Sequence, residues 1–144
     1  MKLTSFTDYS LRVLMYLALD RHRLATIQEI AQAYAISENH LMKVVHTLAR
    51  NGLVESVRGK GGGVRLARDP ERIVIGQVVR EAEGDAAPVI CFSDGNACCI
   101  TPQCQLAGVL AGAFAAFYAH LDAYTLADLL RQPAQLARLL KLDR

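Results

Sequence analysis

Four cysteines, Cys91, Cys98, Cys99 and Cys104, fall within 14 residues, and the chain has no others. Thiolates are soft ligands that suit zinc, iron or iron–sulfur clusters. The stretch Cys91-Phe92-Ser93-Asp94-Gly95-Asn96-Ala97-Cys98-Cys99 is polar and loop-like, so packing does not call for sulfur there. In a reducing compartment a disulfide framework is not expected either. Metal or cluster ligation is therefore preferred to a redox-active or incidental group of thiols. Zinc fingers usually pair cysteines two to four residues apart, twice. The gaps here, Cys91 to Cys98 and Cys98 to Cys104, are longer, and the neighbours Cys98 and Cys99 point in different directions. Three thiolates plus a further ligand fit this spacing. Such a site suits a cluster that must react or be lost more than one that only carries electrons.

The second chemical signal is charge. The 144 residues carry a net charge of +2, yet between Asn39 and Arg65 five bases face a single acid, Glu55. Lys43, Arg50, Arg58, Lys60 and Arg65 are the bases. A local basic segment in a nearly neutral protein fits either a solvated face or one anionic contact surface, nucleic acid being the obvious candidate. A composition of 52% hydrophobic and 21% charged residues excludes a disordered or collagen-like chain. The longest apolar stretch, Leu106 to Tyr118, is too short for a membrane helix, which needs about 18 residues or more. The start, Met1-Lys2-Leu3-Thr4-Ser5, has no hydrophobic signal core, and a cytoplasmic location with no membrane contact is expected. Catalysis is disfavoured. No nucleophile–base pair or cofactor fingerprint occurs, and His22, His40, His46 and His120 are dispersed.

The elements that would position these groups read as mainly α with one β-hairpin. A first helix is expected from about Phe6 to Asp20, capped by Ser5 or Thr7, with Asp8 in its first turn. Thr26-Ile27-Gln28-Glu29 is a capping box opening a second helix that ends near Tyr34-Ala35-Ile36. Ser37 opens a third, Glu38 to Asn51, stopped by Gly52. Two short helices joined by a tight turn, the second polar and basic, suggest helix-turn-helix, although the turn lacks glycine. Leu53 to Arg58 and Val64 to Ala67 alternate like strands around Gly59-Lys60-Gly61-Gly62-Gly63. The resulting hairpin is a wing with Arg58, Lys60 and Arg65 expected at its tip. A phosphate-binding nucleotide loop is disfavoured because a strand pattern, not a helix, follows the glycines. A helix from Ile75 to Glu83 closes at Gly84. A long apolar helix is expected from Thr101-Pro102 to about Leu121. Its many small residues suit close helix approach, so it reads as a dimerisation element, with packing inside one chain as the alternative. A short helix from Leu126 to Arg131 and a last one from Ala134 to Leu142 complete the chain. The expected organisation is a winged helix-turn-helix domain over 1–84, a cysteine-rich loop over 85–104 and a dimerisation region over 101–144.

Four runs in this order carry a resemblance. They are Met1-Lys2-Leu3-Thr4-Ser5-Phe6-Thr7-Asp8-Tyr9, Val57-Arg58-Gly59-Lys60-Gly61-Gly62-Gly63, Cys98-Cys99-Ile100-Thr101-Pro102-Gln103-Cys104 and Tyr124-Thr125-Leu126-Ala127-Asp128-Leu129. Together they make nearly the whole chain resemble the winged-helix iron–sulfur regulators, and among these the nitric-oxide-sensitive repressors. The resemblance implies a homodimer on a palindromic double-stranded DNA operator, one iron–sulfur cluster per subunit, and nitric oxide as the signal that lowers DNA affinity. It implies Cys91, Cys98 and Cys104 as cluster thiolates and Asp8, reaching across the dimer, as the remaining ligand. A 4Fe–4S cluster is preferred, and 2Fe–2S is compatible with the same donors. Another branch of the family uses a histidine three residues after the last cysteine, where this chain has Ala107. Sensing of iron status or redox stress, and a zinc-stabilised module without sensing, are the alternatives.

DNA contacts are expected from Ser37, Asn39, His40 and Lys43, at the start of the third helix, where such helices meet base edges and phosphates. Arg58 is expected to enter a minor groove, with Lys60 and Arg65 on phosphates. The expected switch is a tie, through the cluster, between the cysteine loop of one subunit and Asp8 in the first helix of the other. Arg12, one turn after Asp8, is placed to pair with it once that tie is gone.

Overall fold

The computed structural model describes residues 2–84 and 89–142, six α-helices and one two-stranded antiparallel sheet. The helices are α1 (Ser5–Leu19), α2 (Ile27–Tyr34), α3 (Glu38–Arg50), α4 (Ile75–Glu83), α5 (Gln105–Asp122) and α6 (Pro133–Leu139), and the strands are β1 (Val54–Val57) and β2 (Gly63–Leu66). This is the mainly α, winged helix-turn-helix architecture that the sequence predicts. Part of the expected cysteine loop, 85–88, lies outside the described residues.

Helices α1 to α4 and the hairpin enclose one core, in which Leu14, Ile30, Leu41, Val44, Ile73 and Val79 are almost wholly buried. Helix α1 lies across α3 and α4, and its inner face of Val13, Leu14 and Leu17 repeats at helical spacing. Its N-cap is Thr4, whose hydroxyl accepts from the Thr7 N–H, so neither Ser5 nor Thr7 serves as the cap. Thr7 is instead fully buried and donates to Glu83 at the end of α4. The Thr26–Glu29 capping box forms in both directions. The helix-turn-helix bend dispenses with glycine because Ala35 itself takes the left-handed conformation at φ 53°. There the Ile36 N–H closes the turn on the Ala31 carbonyl at 3.0 Å.

Three other boundaries differ from expectation. Thr101–Gln103 forms a separate 3₁₀ turn, and the long helix starts only at Gln105. The Cys104 N–H bonds to the Thr101 carbonyl while Cys104 is extended, which stops the turn from running on into α5. The segment after α5 is a 3₁₀ helix, Ala127–Leu130, rather than an α-helix from Leu126. The last helix starts with Pro133 at its first turn and ends at Leu139.

Leu126 is wholly buried in the core enclosed by α1 to α4 and the hairpin, together the head, and its N–H bonds to the Ile73 carbonyl at 2.8 Å. The chain therefore returns to the head after α5. Helix α5 differs from every other long helix: among the described residues none of its side chains is buried. No helix among the described residues is long and apolar enough to cross a membrane.

Candidate nucleic-acid interface and cysteine segment

The amphipathic pattern of α3 decides which side chains reach outward. Leu41, Val44, Val45 and Leu48 face the core, which leaves Asn39, His40 and Lys43 exposed, with Ser37 exposed at the N-cap. Ser37 makes no side-chain capping hydrogen bond, so its hydroxyl is available outward. Glu38 and Met42 share this exposed face, and both were passed over by sequence reasoning that looked for bases and amides. His46 is exposed as well. The His40 ring lies 6.2 Å from the ring of Tyr9, so this exposed face of α3 touches the first turns of α1.

The wing follows directly. Val54 pairs with Leu66, Glu55 with Arg65, Ser56 with Val64 and Val57 with Gly63. The bend is held by a 3.0 Å bond from the Gly62 N–H to the Gly59 carbonyl. A Cβ on Gly62 would stand 2.2 Å from the Val57 carbonyl oxygen, so this position needs glycine for the turn to close. Arg58 and Lys60 stand at the tip, exposed, and have no ion-pair partner among the described residues. Arg65 does not join them. It sits within β2, opposite Glu55, and its guanidinium is paired with that carboxylate. A cross-strand acid thus neutralises a base that the sequence placed at the tip. The wing is fixed to the body by reciprocal bonds between Ala25 and Val64, at 3.0 and 2.8 Å.

The cysteine segment has little tertiary support. Cys91 and Cys104 are half-buried, Cys98 and Cys99 are exposed, and all four are free thiols. Local bonds shape it: the Asn96 side chain accepts from the Cys98 N–H at 2.9 Å and donates to the Thr101 hydroxyl at 2.8 Å. Phe92 packs edge-on against Phe114 of α5, with ring centroids 6.3 Å apart. Cys104 occupies the N-cap of α5, beside the unpaired N–H groups at the positive end of that helix. Among the described residues no three of His, Cys, Asp and Glu close around a point that would hold a metal ion. The predicted ligands Cys91, Cys98 and Cys104 thus share one segment without converging. The donor chemistry nonetheless fits an iron–sulfur group: free thiols on a segment held by local bonds, with no disulfide and no core packing to oppose their convergence.

Asp8 lies in the first turn of α1 and pairs with Arg12 at 3.0 Å. That bond raises the Arg12 pKa above its ordinary value. The guanidinium also stands 5.6 Å from the centroid of the Tyr34 ring. Burial pushes the Tyr34 phenol up to about 12. The turn that carries Asp8 is tied to the end of α4. Glu83 accepts from the Thr4 N–H at 2.8 Å, from the Thr4 hydroxyl at 3.0 Å and from the Thr7 hydroxyl. Partial burial disfavours the Glu83 charge, but the bonds from Thr7 and Thr4 outweigh it and hold the carboxyl below its usual range. One residue beyond Glu83, the chain turns at Gly84 into the segment that leads to Cys91. Sequence reasoning missed Glu83, because a threonine–glutamate contact across 76 residues leaves no local pattern.

Several known proteins are similar to this chain. The Rrf2 family model, described as an iron-dependent transcriptional regulator, matches residues 3–132. The HTH-type transcriptional regulator NsrR of Bacillus subtilis (strain 168) is 51% identical over 144 residues, covering 99% of both chains. NsrR of Geobacillus kaustophilus (strain HTA426) is 51% identical over 143 residues, covering 98% of this chain and 97% of that one. Among solved structures, T. potens IscR aligns with a TM-score of 0.74 at 28% identity, covering 91% of this chain and 87% of that one. CymR (YrzC), the global cysteine regulator of B. subtilis, aligns with a TM-score of 0.68 at 29% identity, covering 90% and 95%.

Proposed function

The chain belongs to the Rrf2 family of transcriptional regulators, and from that premise we propose that it is a nitric-oxide-responsive, cytoplasmic repressor of palindromic operators. It acts as a homodimer and holds an iron–sulfur cluster through Cys91, Cys98 and Cys104, with Asp8 of the partner subunit as the further ligand. It is a DNA-binding regulator and not an enzyme, in keeping with its relatives.

The observation that carries this reading is the placement of the cysteine segment. It runs into α5, whose last turns pack on the core through Phe117, Tyr118 and Leu121 but whose first turns lie open, with Leu106 61% and Val109 67% exposed. A second copy laid along α5 buries that face and brings foreign residues to the thiols. The bound cluster supplies iron at which nitric oxide reacts.

The chain's own residues do the rest. Ser37, Asn39, His40 and Lys43 meet the major groove, and Arg58 and Lys60 hold the wing to the backbone and minor groove. Arg65, paired with Glu55, adds little net charge unless that pair opens on DNA. Arg12 competes for Asp8: while Asp8 is engaged across the dimer Arg12 loses its partner, and when Asp8 is released the 3.0 Å pair re-forms. Because α1 packs on α3, and Tyr9 touches His40, that exchange is felt at the reading face.

The test is an absorbance spectrum of protein purified without oxygen, followed by nitric oxide titration with operator binding measured in parallel. Bleaching of a visible iron–sulfur band together with loss of binding supports the proposal. A second reading, iron-status sensing, is favoured by the family's description as iron-dependent. It predicts a coloured protein indifferent to nitric oxide that loses operator binding on iron chelation. A colourless protein that binds zinc under strict anaerobiosis defeats both.

A further inference from the structure

The end of α5 meets the first turn of α4 at a joint that tolerates no extra atom. A Cβ on Gly76 would lie 2.0 Å from the Asp122 Oδ1 and 3.0 Å from its backbone nitrogen. The Asp122 carboxylate is gripped by both terminal nitrogens of Arg80, at 2.8 and 2.5 Å. The same guanidinium stands 4.6 Å from the Tyr118 ring centroid, one turn back along α5. Just past the joint the Ile75 N–H bonds to the Tyr124 carbonyl at 2.9 Å.

An exposed ion pair of this kind contributes little to stability, and both partners here are exposed. What a two-pronged guanidinium–carboxylate contact does supply is direction. Helix α5 has 18 residues and so spans about 27 Å at about 1.5 Å per residue. A tilt of about 10° at the joint moves the far end by about 5 Å on that length. One base pair corresponds to about 3.4 Å and about 35° along the duplex. A small change at the joint therefore exceeds one step of operator spacing.

We infer that the contact of Gly76 and Arg80 with Asp122 sets the angle between reading head and α5, and through it the half-site spacing the dimer accepts. The inference rests on the functional reading above, in which α5 joins two heads over a palindrome. Gly76 and Arg80 are then specificity-determining residues that never touch DNA.

The experiment measures affinity for operators whose half-site spacing is optimal, one pair shorter or one pair longer. It compares the full-length protein with Gly76→Ala and Arg80→Met. Alanine is a better helix former than glycine, so Gly76→Ala does not weaken α4 by itself, and any effect comes from the displaced Asp122. Arg80 is exposed, so Arg80→Met keeps the fold even if Gly76→Ala disturbs it. The unmodified protein is expected to reject either altered spacing by about tenfold or more, the size of a lost base contact. In the variants that ratio falls below about threefold, or the optimum moves by one pair, with the dimer intact by sedimentation. An unchanged spacing profile with uniformly scaled affinity overturns the inference while leaving the functional reading standing. An unmodified chain that is monomeric and indifferent to the palindrome overturns both.

Discussion

Leu14, Ile30, Leu41 and Ile73 are sealed inside the head, whereas Ile90, Ile100, Leu106 and Val109, side chains of the same kind, stand in the open on the cysteine segment and α5. The head closes its own core because four helices and a hairpin meet around it. The segment from 89 to 109 lacks such enclosure in a single chain, and only the last turns of α5 pack on the core, through Phe117, Tyr118 and Leu121. Contiguous exposed apolar surface marks an interaction site, while single exposed residues do not. The head therefore encloses its own core, with Leu126 from beyond α5, and under the proposed function the open surface of the cysteine segment and the start of α5 is what a second copy would cover.

The sharpest way to break this contrast is to cut the same chemistry from both regions. Leu14→Ala, in the head, is expected to cost about 2–5 kcal/mol through lost burial and a residual cavity, read by urea unfolding. Val109→Ser, on α5, is expected to change the stability of the isolated chain by less than about 0.5 kcal/mol while weakening self-association in sedimentation equilibrium. Equal costs at the two positions would mean that Val109 and the start of α5 are covered within one chain.

Removing Arg58, one of the two unpaired cations at the wing tip among the described residues, is expected to act on function and spare stability. Arg58→Ala is expected to lower operator affinity by about 1–3 kcal/mol. It also lowers the salt slope by about 0.9 if the guanidinium contacts a phosphate. Arg65→Ala is expected to do less, because Glu55 already neutralises that base. Binding isotherms at several salt concentrations check both.

The clasp between the first turn of α1 and the end of α4 should show in acid. Glu83 is held below its ordinary value of 4.5, so its contribution is complete above that value and lost as pH falls through the lower, folded one. Glu83→Gln is expected to cost about 1–2 kcal/mol at neutral pH and to flatten the acid limb of a stability profile. At the other extreme, burial raises Tyr34 to about 12, so its share of stability is complete below about 10 and lost as pH rises toward 12. Tyrosine absorbance during alkaline titration follows that step.

The smallest effects separate two caps within the head. Thr26→Ala removes both directions of a capping box and is expected to cost about 1 kcal/mol in thermal unfolding. Ser37→Ala removes no capping bond and is expected to leave the melting temperature unchanged while reducing operator binding.

The order of elements was legible because its signals are local. The box at Thr26–Glu29, the amphipathic period of α3 and the glycines between β1 and β2 each act within a few residues. The boundary at Thr101 was misread because threonine followed by proline also opens a 3₁₀ turn, and only the extended backbone of Cys104 separates that turn from α5. Arg65 was misplaced because strand register, which sets Glu55 opposite it, depends on where the turn closes. The thiols were legible as a group of free cysteines on one segment. Their convergence is not a local property, and within one chain they do not meet.

By itself, then, the sequence determined the elements, the helix-turn-helix and wing, the free thiols and the surplus of base between Asn39 and Arg65, because capping, periodicity and charge operate over neighbouring residues. Tertiary structure alone decided that Glu83 clasps the turn of Asp8, that Glu55 neutralises Arg65, that Asp122 fills the space above Gly76 and that the first turns of α5 are left open. Those outcomes turn on which distant surfaces exclude water from one another, and no stretch of neighbouring residues carries that information.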